Sequence, residues 1–126
     1  MEDSAAPRFR RGDVVLVPTP SGSASRSEQL APGVVVQGDL GNEFAPNVIV
    51  CLISSSVPAR VYPMHVRLEA GSPEAVEAGV ERTCIVKTEA IVTVPRRAVQ
   101  RRLGTLPKQV LARLDACLRL SLGLGT

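Results

Sequence analysis

The chain has 126 residues, 44% of them hydrophobic, which is enough for one core and too few for a second, so one domain over residues 1–126 is expected. No apolar run approaches the roughly 20 residues that cross a bilayer, and Met1-Glu2-Asp3-Ser4-Ala5-Ala6-Pro7 lacks the basic head and apolar stretch of a signal peptide, so a cytoplasmic protein is expected. Net charge is only +3, yet residues 95–126 hold seven Lys or Arg against Asp115 alone, a basic end suited to a polyanion or to a solvated helix face.

Residues 1–8 read as a flexible polar tail. Asp13 to Pro18 is β-branched and apolar, entered through Gly12 and stopped by Pro18 and Pro20, and is expected to be the first strand. Thr19 to Pro32 is rich in Ser, Gly and Pro, with Arg26 and Glu28 embedded, a composition that favours an exposed, mobile loop. The apolar runs Gly33–Gln37 and Val48–Ile53 read as central strands separated by the turn-rich Gly38–Asn42. Ser54, Ser55 and Ser56 then place small hydroxyls where a buried strand emerges.

Val61 to Leu68 alternates as a half-buried strand does, and Thr83–Lys87 with Ala90–Val94 supply the last strand material. Pro95 is expected to close the β part. Beyond it Val110, Leu111, Leu114, Cys117, Leu118 and Ser121 fall on one helical stripe, with Thr105 as the expected cap and Gly123 as the stop. Many short strands followed by one long helix predict a mainly β fold, a small barrel covered by a C-terminal amphipathic helix.

Cys51, Cys84 and Cys117 are far apart, odd in number and set among apolar neighbours, as reduced core thiols are. Phe9, Phe44 and Tyr62 are the only aromatics, which argues against a sheet that stacks several bases on exposed rings. Acidic groups do not cluster as metal ligands, no glycine-rich loop precedes a helix and no nucleophile elbow occurs, so kinase, hydrolase-triad and metalloenzyme readings find no support.

The ordered segments Arg11-Gly12-Asp13-Val14-Val15, Ser27-Glu28-Gln29 before Pro32, Val34-Val35-Val36-Gln37, Val48-Ile49-Val50, Ile53-Ser54-Ser55, Pro63-Met64-His65-Val66, Arg102-Leu103-Gly104-Thr105-Leu106 and Ala116 to Leu124 resemble MazF/PemK toxins over about residues 8–124. The resemblance implies an SH3-like barrel that forms a homodimer, with a groove across it for single-stranded RNA. It also implies sequence-specific cleavage without metal or other cofactor, and a cognate antitoxin that blocks the groove. In that family the ribose 2′-hydroxyl attacks the adjacent phosphate, helped by an Arg of the first long loop and a Thr or Ser ending the third strand, leaving 2′,3′-cyclic phosphate and 5′-hydroxyl ends.

Carried onto this chain, Ser54 takes the place of the strand-end hydroxyl, where it would donate to a phosphate oxygen gaining charge; its bland alternative is a serine satisfying backbone. The family's Arg falls at Ala31, leaving Arg26 as the nearest substitute cation, with a solvated loop arginine as the alternative. Glu28, Gln29 and Ser55 match positions that meet RNA or arrange the loop. Lys87 and Glu89 project to one face of a strand, as phosphate clamp and proton acceptor or as a surface ion pair. His65, the only histidine, reads as structural with a local partner. Arg96 and Arg97, with Arg101 and Arg102, would attract phosphate or face the antitoxin or solvent. Two other readings stay open: a catalytically weakened member acting as a binding or regulatory module, and a CcdB-like gyrase poison, whose characteristic C-terminal Trp this chain lacks.

Overall fold

The computed structural model describes residues 8–19 and 29–125. The expected tail, apart from Arg8, and the loop residues Arg26 and Glu28 lie outside the described residues. Six strands, β1 (Asp13–Pro18), β2 (Leu30–Val35), β3 (Asn47–Ser54), β4 (His65–Leu68), β5 (Cys84–Pro95) and β6 (Arg101–Thr105), form one sheet in the order β4-β5-β3-β2-β1-β6. Every neighbouring pair is antiparallel, and the sheet curls into a half-barrel. Among the described residues three α-helices, α1 (Asp39–Phe44), α2 (Pro73–Ala78) and α3 (Lys108–Leu122), and one 3-10 turn (Arg96–Ala98) accompany the sheet. The mainly β barrel with a covering helix is therefore as expected.

Side-chain alternation divides the core between the two faces of the sheet. Val14, Val34, Cys51, Val66, Leu68 and Val86 pack beneath α2 and α3, meeting Ala75, Ala78, Val110, Leu114 and Cys117. Val15, Val17, Val35, Val48, Val50 and Val94 pack on the other face with Phe9 and Val99. The α3 stripe lies as its period predicts, and Gly123 ends the helix with φ of 70°. All three cysteines are free and buried, and burial pushes the Cys51 thiol up to about 11.

Several expectations are corrected. Leu30–Pro32 belongs to β2 and not to the loop, because it pairs with Leu16–Pro18 of β1. Gly38–Asn42 is not a turn: α1 starts at Asp39, whose carboxylate accepts the Arg11 N–H at 2.8 Å while the Asn42 amide donates to the Gln37 carbonyl at 2.9 Å. The strand expected from Val61 starts only at His65, since Pro63 has no N–H to donate and the His65 N–H closes a turn onto the Tyr62 carbonyl. The two segments after Thr83 are one continuous strand, β5.

Pro95 does not close the β part. Arg101–Thr105 is polar by composition but is held as β6 by its ladder to β1. Thr105 sits in that strand with its hydroxyl on Asp13 Oδ1 at 3.1 Å, so it does not cap α3, whose N-cap is Pro107. The helix α2 is not among the expected elements, although Ser72 caps it, Pro73 opens it and Gly79 ends it at φ 78°. It docks closely on β6: a Cβ on Gly79 or Gly104 would overlap the carbonyl oxygen of Leu103 or Glu77 respectively.

Candidate functional site

At one end of the sheet β1 and β3 finish while β2, β5 and β6 begin, and the segment after α2 runs alongside. A groove of about 790 Å³ lies here. Its floor includes Ser54, Ser55 and Ala31, and the cations along it are Arg82, Lys87 and Arg101. Ser54 is the last residue of β3 and pairs with Ile85 of β5 on one side. On the other side the β2–β3 ladder sets Val34 against Cys51 and ends at Gly33 against Leu52, two residues short of Ser54. The Ser54 hydroxyl oxygen accepts the Ser56 N–H at 3.1 Å, which fixes the oxygen and leaves its proton free to be donated into the groove.

A distortion of β5 sets the next part of the site. Cys51 pairs with Ile91 and Ile53 with Val86, so two steps along β3 match five along β5, and Lys87–Ala90 bulges from the ladder. Bulges re-aim side chains, and this one is pinned from inside. Thr88 is fully buried; its hydroxyl donates to the Met64 carbonyl at 2.6 Å and accepts from Ser121 of α3 at 2.6 Å. With Thr88 inward, Lys87 and Glu89 are turned outward.

Glu89 meets His65 Nε2 at 3.0 Å and 3.1 Å through its two oxygens, and Lys87 Nζ lies 4.0 Å away. Burial raises the Glu89 carboxyl, but the His65 hydrogen bond, the backbone and the charges of His65 and Lys87 outweigh it and hold the group below the usual glutamate value. A second cleft of about 510 Å³, lined by Tyr62, Met64, His65, Ile85 and Glu89, adjoins the groove and shares Lys87 with it. The Tyr62 and His65 rings lie 5.2 Å apart. His65 thus has the local partner expected of it, and Lys87 and Glu89 share one face.

Of the residues singled out from sequence, Ser54, Ser55 and Lys87 line one groove and Glu89 lies at its flank. Gln29 is exposed near its mouth, with its carbonyl accepting the Thr19 N–H at 2.8 Å and hydroxyl at 3.1 Å. Arg26 and Glu28 lie outside the described residues. Arg96 and Arg97 stand at the opposite end of the sheet, in a short 3-10 turn after β5. There Arg96 donates to the Ala45 carbonyl at 2.8 Å and to that of Asn42. Sequence reasoning misses one groove cation, Arg82, for which the sequence carries no local signal, while it names Arg101 only as one member of a basic run.

The fold and the cleft define a small half-barrel protein with the Ser54 hydroxyl, Arg82, Lys87, Arg101 and Glu81 lining one groove. The family model for PemK-like, MazF-like toxins of type II toxin-antitoxin systems matches residues 10–122, and the chain belongs to that family. It is 29% identical over 117 residues to the endoribonuclease MazF of Staphylococcus epidermidis, covering 93% of each chain. It is 28% identical over 115 residues to the endoribonuclease EndoA of Bacillus subtilis, covering 91% of this chain and 95% of the other. A mycobacterial endoribonuclease solved with its cognate antitoxin has the same fold, with a TM-score of 0.69 at 18% identity over 94% of this chain and 98% of that one.

Proposed function

We propose that the chain is the toxin of a toxin-antitoxin pair and acts as a sequence-specific, metal-independent endoribonuclease on single-stranded RNA. The observation that carries this is the Ser54 hydroxyl, fixed by the Ser56 N–H in a groove whose cations are Arg82, Lys87 and Arg101. Family membership and two relatives named as endoribonucleases support the same reading.

In the proposed reaction the ribose 2′-oxygen forms a bond to the adjacent phosphorus and the bond from phosphorus to the 5′-oxygen breaks. The products are a 2′,3′-cyclic phosphate and a 5′-hydroxyl. Ser54 donates to a non-bridging oxygen as it gains charge, Ser55 meets the same strand, and Lys87 neutralises the phosphate. Glu89, kept ionised by His65 and Lys87, accepts the 2′-hydroxyl proton, and water protonates the leaving oxygen. Arg26 supplies a further cation to the phosphate, and Glu28 and Gln29 meet RNA. The working unit is a homodimer, and the cognate antitoxin covers the groove. Among the described residues no helix is long and apolar enough to cross a membrane.

The test is incubation of the purified protein with a long mixed-sequence RNA in EDTA, with the ends mapped. Discrete cuts bearing 5′-hydroxyl ends are expected. RNA that is bound but left intact would instead favour a toxin fold that has lost its chemistry and works as a binding module.

A further inference from the structure

Around Glu89 the strand β5 is released by both of its neighbours. The β3–β5 ladder stops at Val86 and resumes at Ile91, and the β4–β5 ladder ends at Lys87 against His65, so Thr88, Glu89 and Ala90 have no partner in either. One side chain ties this stretch down. Thr88 is fully buried, and its hydroxyl lies 2.6 Å from the Met64 carbonyl and 2.6 Å from Ser121 Oγ, with the Cys117 carbonyl at 3.4 Å. A hydroxyl has one proton and a carbonyl only accepts, so Thr88 donates to Met64 and accepts from Ser121.

Ser121 stands in the last turn of α3, just before the Gly123 that ends the helix, and is half-buried. One turn earlier, on the same helix face, Cys117 Sγ donates to the Pro63 carbonyl at 3.3 Å. The helix thus holds both sides of one contact: Ser121 bonds to the residue before Glu89, and Cys117 to the turn that leads into His65. Across that contact the two Glu89 oxygens meet His65 Nε2 at 3.0 Å and 3.1 Å. Ser121 itself lines neither the groove nor the adjoining cleft, so any effect it has on RNA passes through what it holds.

We infer that Ser121 is a positioning residue for the proposed reaction: through Thr88 it holds Glu89 against His65 beside the groove. The inference rests on Glu89 being the acceptor of the 2′-hydroxyl proton. Without the Ser121 hydroxyl, Thr88 loses the shorter of its two bonds to α3, and Glu89, which has no ladder partner, moves with it. A reacting group misplaced by about 1 Å loses on the order of 100-fold in rate, so a partial release shows in cleavage and not in RNA binding.

The test compares wild type with Ser121→Ala, Ser121→Thr, Thr88→Val, the double variant Ser121→Ala with Thr88→Val, and Val110→Ala, which weakens α3 at its other end. Single-turnover cleavage is measured beside binding of the same RNA made uncleavable by a 2′-deoxy substitution at the mapped cut. The ring-proton NMR signals of His65, the only histidine, report its contact with Glu89, with Glu89→Gln as the reference for a lost contact. Ser121→Ala is expected to cut about tenfold more slowly with binding unchanged, and to move the His65 signals toward those of Glu89→Gln. Ser121→Thr, which keeps the hydroxyl, is expected to cut within about threefold of wild type, and Val110→Ala to match wild type in rate and signals. The double variant is expected to cut no more slowly than Thr88→Val alone, because Ser121 acts through Thr88. Cleavage by Ser121→Ala within about threefold of wild type, rate losses that multiply in the double variant, or unmoved His65 signals overturn the inference while leaving the nuclease reading intact. If wild type itself does not cut, that reading fails and the His65 signals still decide: movement in Ser121→Ala but not in Ser121→Thr upholds the hold on Glu89, and no movement removes it.

Discussion

The two ends of the sheet treat polar side chains in opposite ways. At the end where β2 gives way to α1 and β5 gives way to the 3-10 turn, they bond to one another. The Gln37 amide donates to Asn42 and to the Asn47 carbonyl, each at 3.0 Å, and Asn42 returns a bond to the Gln37 carbonyl. Arg96 closes the C-terminal carbonyls of α1, and Arg11 holds the Val36 carbonyl at 2.9 Å and Asp115 of α3 at 2.7 Å. At the groove end, Ser54 keeps a free proton while Arg82 and Arg101 bond to none of the described residues. Buried polar groups need partners. Arg82 and Arg101 are exposed, where water serves them, so on the proposed reading they are open to a phosphate, and stability and chemistry are divided between the ends.

The most damaging way to probe that division is Ser54→Ala. Removing one donor to a developing phosphate charge should slow single-turnover cleavage by about 10²–10³-fold, on the order seen for such donors, with the unfolding midpoint unchanged. Retained cleavage would assign the Ser54 hydroxyl to the Ser56 N–H alone. Thr88→Val comes next, because it keeps the volume but leaves the Met64 carbonyl and Ser121 without their shared hydroxyl. A loss of about 1–3 kcal/mol in urea unfolding is expected, with cleavage weakened as the bulge carrying Lys87 and Glu89 loosens.

Arg96→Ala should cost about the same 1–3 kcal/mol, through the uncovered carbonyls of Asn42 and Ala45, and leave cleavage rates as they are. A selective loss of RNA binding in that variant would break the comparison. The smallest effect concerns pH. The folded Glu89 lies below its ordinary value, so the support it gains from His65 and Lys87 is complete above the ordinary glutamate range near about 4.3 and is lost as pH falls through the lowered value. The acid limb of the cleavage profile should sit below that range and move up toward it in His65→Ala, which a pH–rate series checks.

Much of the fold is legible in the residues alone, and particular elements show why. β1 follows its sequence expectation residue for residue from Asp13 to Pro18, and α3 buries Val110, Leu114 and Cys117 as its stripe requires, because both patterns are strong and local. β6 is not legible, since Arg101-Arg102-Leu103-Gly104-Thr105 has no strand pattern and owes its form to β1. α2 carries a cap, a proline and a terminal glycine, yet six residues are too few for a helical period to show. The site divides in the same way. Ser54 announces itself as a serine ending an apolar strand. That Arg96 and Arg101, five residues apart, serve opposite ends of the molecule depends on a strand turning back between them, which no local signal records.

The division between the ends is tested most directly by measuring both urea unfolding and RNA cleavage on one variant from each, Ser54→Ala and Arg96→Ala. A crossed result is predicted, with Ser54→Ala stable but cutting about 10²–10³-fold more slowly and Arg96→Ala destabilised but cutting at the wild-type rate when folded. If Ser54→Ala cuts normally, or if only Arg96→Ala abolishes cutting in the folded protein, the groove at Ser54 is not where the chemistry takes place.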